Sequence, residues 1–313
     1  MTRQLKADLA ILSITVVWGS SFILMKNITG NIPFYAYLFL RFAVAGILLA
    51  LIFVREIGRI SLKALFQGTV IGLTLFGGMS LQYIGLNYTS ASHSAFITGL
   101  NVVMVPVISA VYLKKKPPVR AVIGVLLATA GLFFLSGGFS GDWNIGDTLT
   151  LLCAVCFALQ IIFIDKFAQQ TDARHLAVVQ ILSAALMYGM LWLVYGLSGE
   201  RTPVTIDTRV ILTVLYTGAL GTAFAYGVQT IAQQFTTPTR TALLLTFEPV
   251  FGALFALIIP GAGGETEKLT LNTGLGCLLI FAGMIITEVR FRELKRSADG
   301  TVHDNMHDNV TKQ

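Results

Sequence analysis

Glu248 lies inside the apolar run 238–260 and is followed at once by Pro249. A carboxylate in such surroundings needs a partner or a wet cavity, because leaving it alone in hydrocarbon costs at least about 2.5 kcal/mol. It can bind a substrate amine or carry a coupling proton. It can equally hydrogen-bond a backbone group freed by the proline, or pair with Arg41 in the run 33–54. Arg41 can in turn attract a carboxylate or form a salt bridge, while Lys26 is close enough to the end of its run to snorkel to water. Gln82, Tyr83, Asn101, Gln160 and Gln229 are neutral polar groups in apolar runs. They can bind a zwitterion or a sugar, or tie helices together. Trp18 and Tyr226 can form aromatic cavity walls or plain packing.

A different chemistry is spelled by Gly138-Phe139-Ser140-Gly141, a short match to the surroundings of intramembrane serine nucleophiles, with His93 available as a base. An intramembrane serine hydrolase using Ser140 is therefore the alternative reading, and it leaves the internal repeat of the chain without a purpose. There is no P-loop and no H-E-x-x-H motif, so no nucleotide, cofactor or metal is expected. Cys153 and Cys156 stand one turn apart in an apolar run, as buried thiols do.

The elements that must position these groups follow from composition. Of 313 residues, 55% are hydrophobic and only 12% charged, against roughly 25% charged in soluble domains. The apolar residues gather into ten blocks, approximately 8–27, 33–54, 65–86, 92–113, 119–136, 146–167, 175–197, 209–229, 238–260 and 271–289. Each is about the length that crosses 30 Å of hydrocarbon as a helix, and none alternates as a barrel strand would. The fold class expected is all-α integral membrane with ten transmembrane helices.

The net charge of +6 reads as topology rather than nucleic-acid binding. With ten alternating spans, Arg3, Lys6, Arg55, Arg59, Lys63, Lys114, Lys115, Lys116, Arg120, Lys166, Arg174 and Arg240 share one side. That side is expected to be cytoplasmic, with both termini on it, in a multi-pass protein of the cytoplasmic membrane. Residues 295–313 are polar with no apolar face, and a disordered cytoplasmic tail is expected there.

The chain also resembles itself. A shift of 139 lays Asp8 on Asp147, Trp18 on Phe157, Lys26 on Asp165, Arg41 on Gln180 and Ala45 on Ala184. Further on, Thr89–Ala95 matches Thr236–Ala242, Pro106-Val107 matches Pro249-Val250, and Gly124 with Gly131 repeats the spacing of Gly276 with Gly283. This divides the chain into a first five-span repeat, 1–140, and a second, 141–294. Because five is odd, the second copy enters the membrane from the other side, giving two inverted five-helix repeats around a midplane site. Pro106 and Pro249 then serve as matched hinges, since an interior proline removes a helix hydrogen bond.

These features together, Trp18-Gly19, Arg41, the Thr/Ser-Ala starts of spans four and nine, Pro106-Val107, Glu248-Pro249-Val250 and the paired glycines, resemble the drug/metabolite transporter superfamily, specifically its EamA-type ten-span permeases, over about 8–289. The resemblance implies secondary transport of small polar metabolites, amino acids or related compounds and drugs, often outward; Glu248 and the inverted repeat point to alternating access with proton coupling or exchange. It implies a cavity lined by helices one, three, four, six, eight and nine. On this reading the substrate-binding candidates are Trp18, Gln82, Tyr83, Asn101, Gln160, Tyr226, Gln229 and Glu248, and the coupling candidates are Glu248 and Arg41. Partners are a small-molecule solute, membrane lipid and protons, with no nucleic acid, the chain working as a monomer or homodimer.

Overall fold

The computed structural model describes residues 2–26, 31–137, 143–197, 205–259, 266 and 269–288. Among these residues the elements are all helical: α1 (Arg3–Lys26), α2 (Phe34–Ile52), α3 (Val54–Ile57), α4 (Leu62–Leu86), α5 (Ala91–Gly99), α6 (Asn101–Tyr112), α7 (Val119–Leu135), α8 (Ile145–Phe167), α9 (Ala173–Leu197), α10 (Thr208–Gly218), α11 (Ala225–Ala232), α12 (Pro238–Leu245), α13 (Phe247–Ala256) and α14 (Leu271–Glu288). A π-helical turn, Ala219–Phe224, joins α10 to α11. The segment Gly138–Gly141 and the tail 295–313 lie outside the described residues.

The helices begin where the sequence offers a cap for the orphan amides of a first turn. Ser61, Ser90, Asp207 and Thr237 each accept a backbone N–H in this way. Asn144 and Asp147 form a reciprocal capping box at the start of α8. At the far end of α6, Lys114 takes a left-handed φ of 56°, closing that helix and turning Lys115 toward Asp165, 2.6 Å away.

Among the described residues, seven segments are long and apolar enough to cross a membrane: Phe34–Ile52, Leu62–Leu86, His93–Tyr112, Ile145–Phe167, Ala173–Leu197, Thr208–Phe235 and Pro238–Ile258. Val119–Leu135 and Leu271–Thr287 are shorter apolar helices. Large apolar side chains face outward along them, among them Leu186, Met190 and Leu193 on α9. Water would penalise such a surface and lipid does not.

The helices pack in two groups. In the first, α1 packs on α11, α12 and α13, and α2 packs on α10 and the π turn. In the second, α8 packs on α4, α5 and α6, and α9 packs on α4. The groups meet along α2/α9, α7/α14 and α6/α12. Glycine lets the α7 and α14 backbones touch: a Cβ on Gly131 would lie 2.7 Å from the Gly276 carbonyl oxygen, and one on Gly283 would lie 2.5 Å from that of Gly124.

Contacts identify the two ends of the bundle. At the basic end, Thr236 and Arg240 bind Asp8 at 2.9 and 2.8 Å, Lys115 binds Asp165, and Arg174 binds Glu56 at 2.9 Å. At the opposite end, Thr89 donates to Asp147 at 2.6 Å, Asn31 lies 3.4 Å from Asp207, and Phe34 stacks on Tyr83.

Candidate functional site

The π turn gathers the central groups. Widening a helix by one residue leaves carbonyls out of the regular ladder, and here the Gly221 carbonyl accepts from Trp18 Nε1 at 2.8 Å and from Arg41 Nη2 at 3.2 Å. Arg41 Nε donates to Thr222 Oγ1 at 2.7 Å. Arg41 is only 4% exposed, yet all these partners are neutral. The Trp18 ring lies 5.3 Å from that of Tyr226.

Glu248 lies near enough to feel the charge of Arg41, but no salt bridge joins them. The acid is half-buried and has no hydrogen bond or ion pair to a described residue. Its position follows from the break between α12 and α13 at Thr246. Pro249 has no N–H to offer the Leu245 carbonyl, so the α12 ladder cannot run through. Thr246 tightens the last turn by donating its hydroxyl to the Leu243 carbonyl at 2.6 Å. The corresponding break between α5 and α6 falls at Leu100, beside Asn101, and Pro106 lies within α6 rather than at that break.

The structure thus brings Trp18, Arg41, Tyr226 and Glu248 together. Gln82 donates to Thr98 at 3.1 Å, and the Thr98 hydroxyl lies 4.0 Å from Cys153 Sγ. Tyr83 stands instead in an aromatic group at the opposite end, 3.7 Å from Phe34 and 5.9 Å from Tyr35 between ring centroids. Gln160 and Gln229 meet each other at 3.3 Å, and two glutamines outside the site candidates of the sequence make further bonds. Gln233 accepts from Gln229 at 3.1 Å and donates to the Ile161 carbonyl at 3.0 Å, and Gln180 donates to Thr230 at 2.6 Å. Thr222 and Gly221 escape the sequence in the same way, since nothing in composition signals a π turn.

Two further polar clusters are already committed to structural contacts. His93 lies 3.8 Å from Asp147 and beside Thr89, which occupies that carboxylate. Ser140 lies outside the described residues. Glu56, Asp172 and His175 offer ligand atoms within 4.8 Å of one another, but Arg174 already neutralises both carboxylates. A cavity of about 530 Å³ beside this cluster, lined by residues 168–174 with Ile231 and Gln234, is at the basic end and away from the central acid.

A helical bundle with this many apolar crossings and polar groups held at helix interruptions is a multi-pass membrane transporter. The chain belongs to the EamA-like transporter family, whose model matches residues 5–137 and again 144–289. It is 33% identical over 288 residues to an uncharacterized transporter of Archaeoglobus fulgidus, covering 92% of this chain and 87% of that one. A probable amino-acid metabolite efflux pump of Salmonella typhimurium is 26% identical over 298 residues, with 92% and 96% covered. YoaV of Bacillus subtilis, an uncharacterized transporter, is 23% identical over 300 residues, with 93% and 100% covered. A solved crystal structure 18% identical in sequence has the same fold, at TM-score 0.75 over 91% of this chain and 98% of that one.

Proposed function

We propose that the protein is a secondary transporter of ten spans, exporting small polar metabolites that carry a protonated amine across the cytoplasmic membrane by alternating access. The carrying observation is Glu248: a carboxylate without a polar partner among the described residues, at a helix break, near the Trp18 and Tyr226 rings. An amine would gain ionic and cation–π contacts there. With no amine bound, the same carboxylate is the group to carry a proton, so exchange or proton coupling needs no second acid. Arg41, held to the π turn, gives the substrate's own carboxylate a place to be attracted. Gln82, Asn101, Gln160 and Gln229 complete the polar lining and Tyr83 guards the mouth. Pro106 and Pro249 are the hinges.

Several observations support the architecture. Adding α1, α7 and α14 to the seven apolar segments makes ten. The family model matches twice, once in each of the proposed repeats. The principal packings survive exchange of the repeats: α1 on α13 corresponds to α8 on α6, α2 on α10 to α9 on α4, and α7 on α14 to itself. The basic end, placed in the cytoplasm, puts both termini there. The efflux relative motivates the outward direction.

The test is flux in proteoliposomes with a panel of amino acids and organic amines under an imposed pH gradient. Saturable, gradient-sensitive flux is expected, and Glu248→Gln should cut it at least tenfold while the purified protein keeps its elution profile and melting temperature. Unimpaired gradient-driven flux in the Gln variant would remove the acid from the mechanism, and the absence of flux for every amine would remove the substrate class.

A further inference from the structure

The two ends of the bundle differ in one respect that names its gates, provided that the inverted-repeat reading above holds. Spans one, two, eight, nine and ten form the first packing group, and spans three to seven the second. Tyr35 bonds Tyr195 across the groups at the aromatic end, whereas several hydrogen bonds cross between them toward the basic end. They are Gln229 to Gln160, Gln233 to the Ile161 carbonyl, Gln234 to the Ala168 carbonyl at 2.8 Å, Gln180 to Thr230, and Arg174 to Glu56.

The register between the repeats can be checked against packing. Arg41 and Gln180 are 139 apart, as are Val44 and Ser183. A Cβ on Gly218 would meet Arg41 and Val44, and one on Gly72 would meet Gln180 and Ser183. The two glycines are themselves 146 apart, and beyond the π turn, which adds a residue to span eight, the shift becomes 147. It then lays Thr89 on Thr236, and these two threonines hold Asp147 and Asp8, which are again 139 apart. The same numbers lay Gln82 on Gln229, Tyr83 on Thr230 and Ser21 on Gln160.

Exchanging the repeats therefore turns the Gln160–Gln229 bond into a Ser21–Gln82 bond, and Gln180–Thr230 into Arg41–Tyr83. In this conformation those four residues are bonded otherwise. Ser21 donates to the Val17 carbonyl at 2.7 Å and Gln82 to Thr98, each within its own group. Arg41 holds the π turn, and Tyr83 stacks on Phe34. We propose that Gln160 and Gln229 are the closed gate of the conformation seen here, and that Ser21 and Gln82 are the gate that closes in the opposite conformation, the two closures excluding each other. The proposed gate toward the basic end is thus a pair of amides, and its counterpart is a hydroxyl with an amide. Both are neutral, so either can part without leaving a charge buried in hydrocarbon.

The experiment uses the full chain in proteoliposomes with Cys153, Cys156 and Cys277 replaced by Ser. Cysteine pairs are placed at Gln160 with Gln229, at Ser21 with Gln82, and at all four positions together. Each pair should form a disulfide on oxidation, and oxidation should cut at least tenfold whatever flux the same reduced variant shows, with reduction restoring that level. In the four-cysteine protein one disulfide per molecule is expected, and molecules carrying both would overturn the proposal. A single Gln82→Cys variant, used where the Ser21 pair does not fold, is probed with a membrane-impermeant maleimide. Locking Gln160→Cys to Gln229→Cys in the same chain should raise its labelling severalfold, and loss of labelling would reverse the assignment. Exclusive disulfides without flux of any solute would sink the transport reading alone. Impermeant labelling that put the 58–61 and 114–118 turns on different faces would sink the repeat reading instead.

Discussion

At one end of the α2/α9 seam, Tyr35 meets Tyr195 with ring centroids 5.1 Å apart; at the other, Glu56 meets Arg174 at 2.9 Å. The shift of 139 lays Tyr35 on Arg174 and Glu56 on Tyr195. On the repeat reading proposed above, matched positions therefore close one seam with rings at one end and with ions at the other. Between the ends the seam is alike in both copies: Ala45 and Ala184, 139 apart, are both fully inaccessible to solvent. The difference teaches where each repeat was free to change. Close packing in the interior admits few side-chain volumes, whereas the ends meet a different medium on each face. Rings suit one membrane interface, and basic residues mark the other.

The sharpest way to break the comparison is to attack a seam that is the same at both ends. On α7 and α14, Gly131 faces Gly276 and Gly124 faces Gly283, so the two helices supply equivalent notches. Gly131→Leu forces a side chain onto the Gly276 carbonyl and Ile280, and about 3 kcal/mol of overpacking is expected. In a detergent melt this should be a loss of most folded protein. Gly283→Leu should cost about the same, because the seam treats the copies alike. Gly274, with open space around its Cβ direction, is the control; Gly274→Ala should shift stability by less than about 0.5 kcal/mol. Equal melts for Gly131→Leu and Gly274→Ala would refute the packing account.

The same contrast between interior and ends governs what is legible in the sequence. Apolar blocks reveal the helices because the hydrocarbon thickness dictates their length, and Asp8, Asp147, Thr89 and Thr236 can be aligned because both copies need the same caps and ties. Glu248 is legible since an acid in an apolar run has few uses. The π turn is not, because Ala219–Phe224 has the composition of any packed helix and the extra residue shows only when the shift of 146 that lays Gly72 on Gly218 becomes 147. Tyr83 looks like a cavity residue from its neighbour Gln82, but adjacent residues on a helix point about 100° apart. It joins the rings at the opposite end. The break beside Asn101 has no sequence signal, since Pro106 lies further along, inside α6.

Next in size is the aromatic end. Tyr35 is 8% exposed and touches Phe34, Tyr83 and Tyr195, so Tyr35→Ala removes a buried ring and leaves its neighbours unpacked. About 2 kcal/mol is expected, at the low end for aromatic truncation because Tyr195 is 41% exposed and can move into the space. Tyr35→Phe should keep most of it. A denaturant or thermal series in one detergent checks both, and an Ala variant as stable as the Phe variant would mean the rings are not what closes that end.

The ionic end should respond least, and to pH rather than to shape. The hydrogen bond from Arg174 holds the Asp172 carboxyl below its usual 3.8, helped by the charge of Arg174 and His175 and opposed by partial burial. A carboxyl depressed on folding contributes stability that is present above the unfolded value and lost as pH falls through the folded one. Asp172 should therefore add nothing to the pH dependence of stability near neutrality, and its contribution should fade only below about pH 4. Its side chain is 33% exposed and that of Arg174 is 42% exposed, so water screens the pair. Less than about 1 kcal/mol is expected for Asp172→Asn at pH 7, shrinking with added salt. Glu56→Gln should behave similarly in salt, whereas Tyr35→Ala should be insensitive to it. Comparing the three variants in low and high salt separates an end held by charge from one held by packing, and a salt-dependent Tyr35→Ala would erase the distinction.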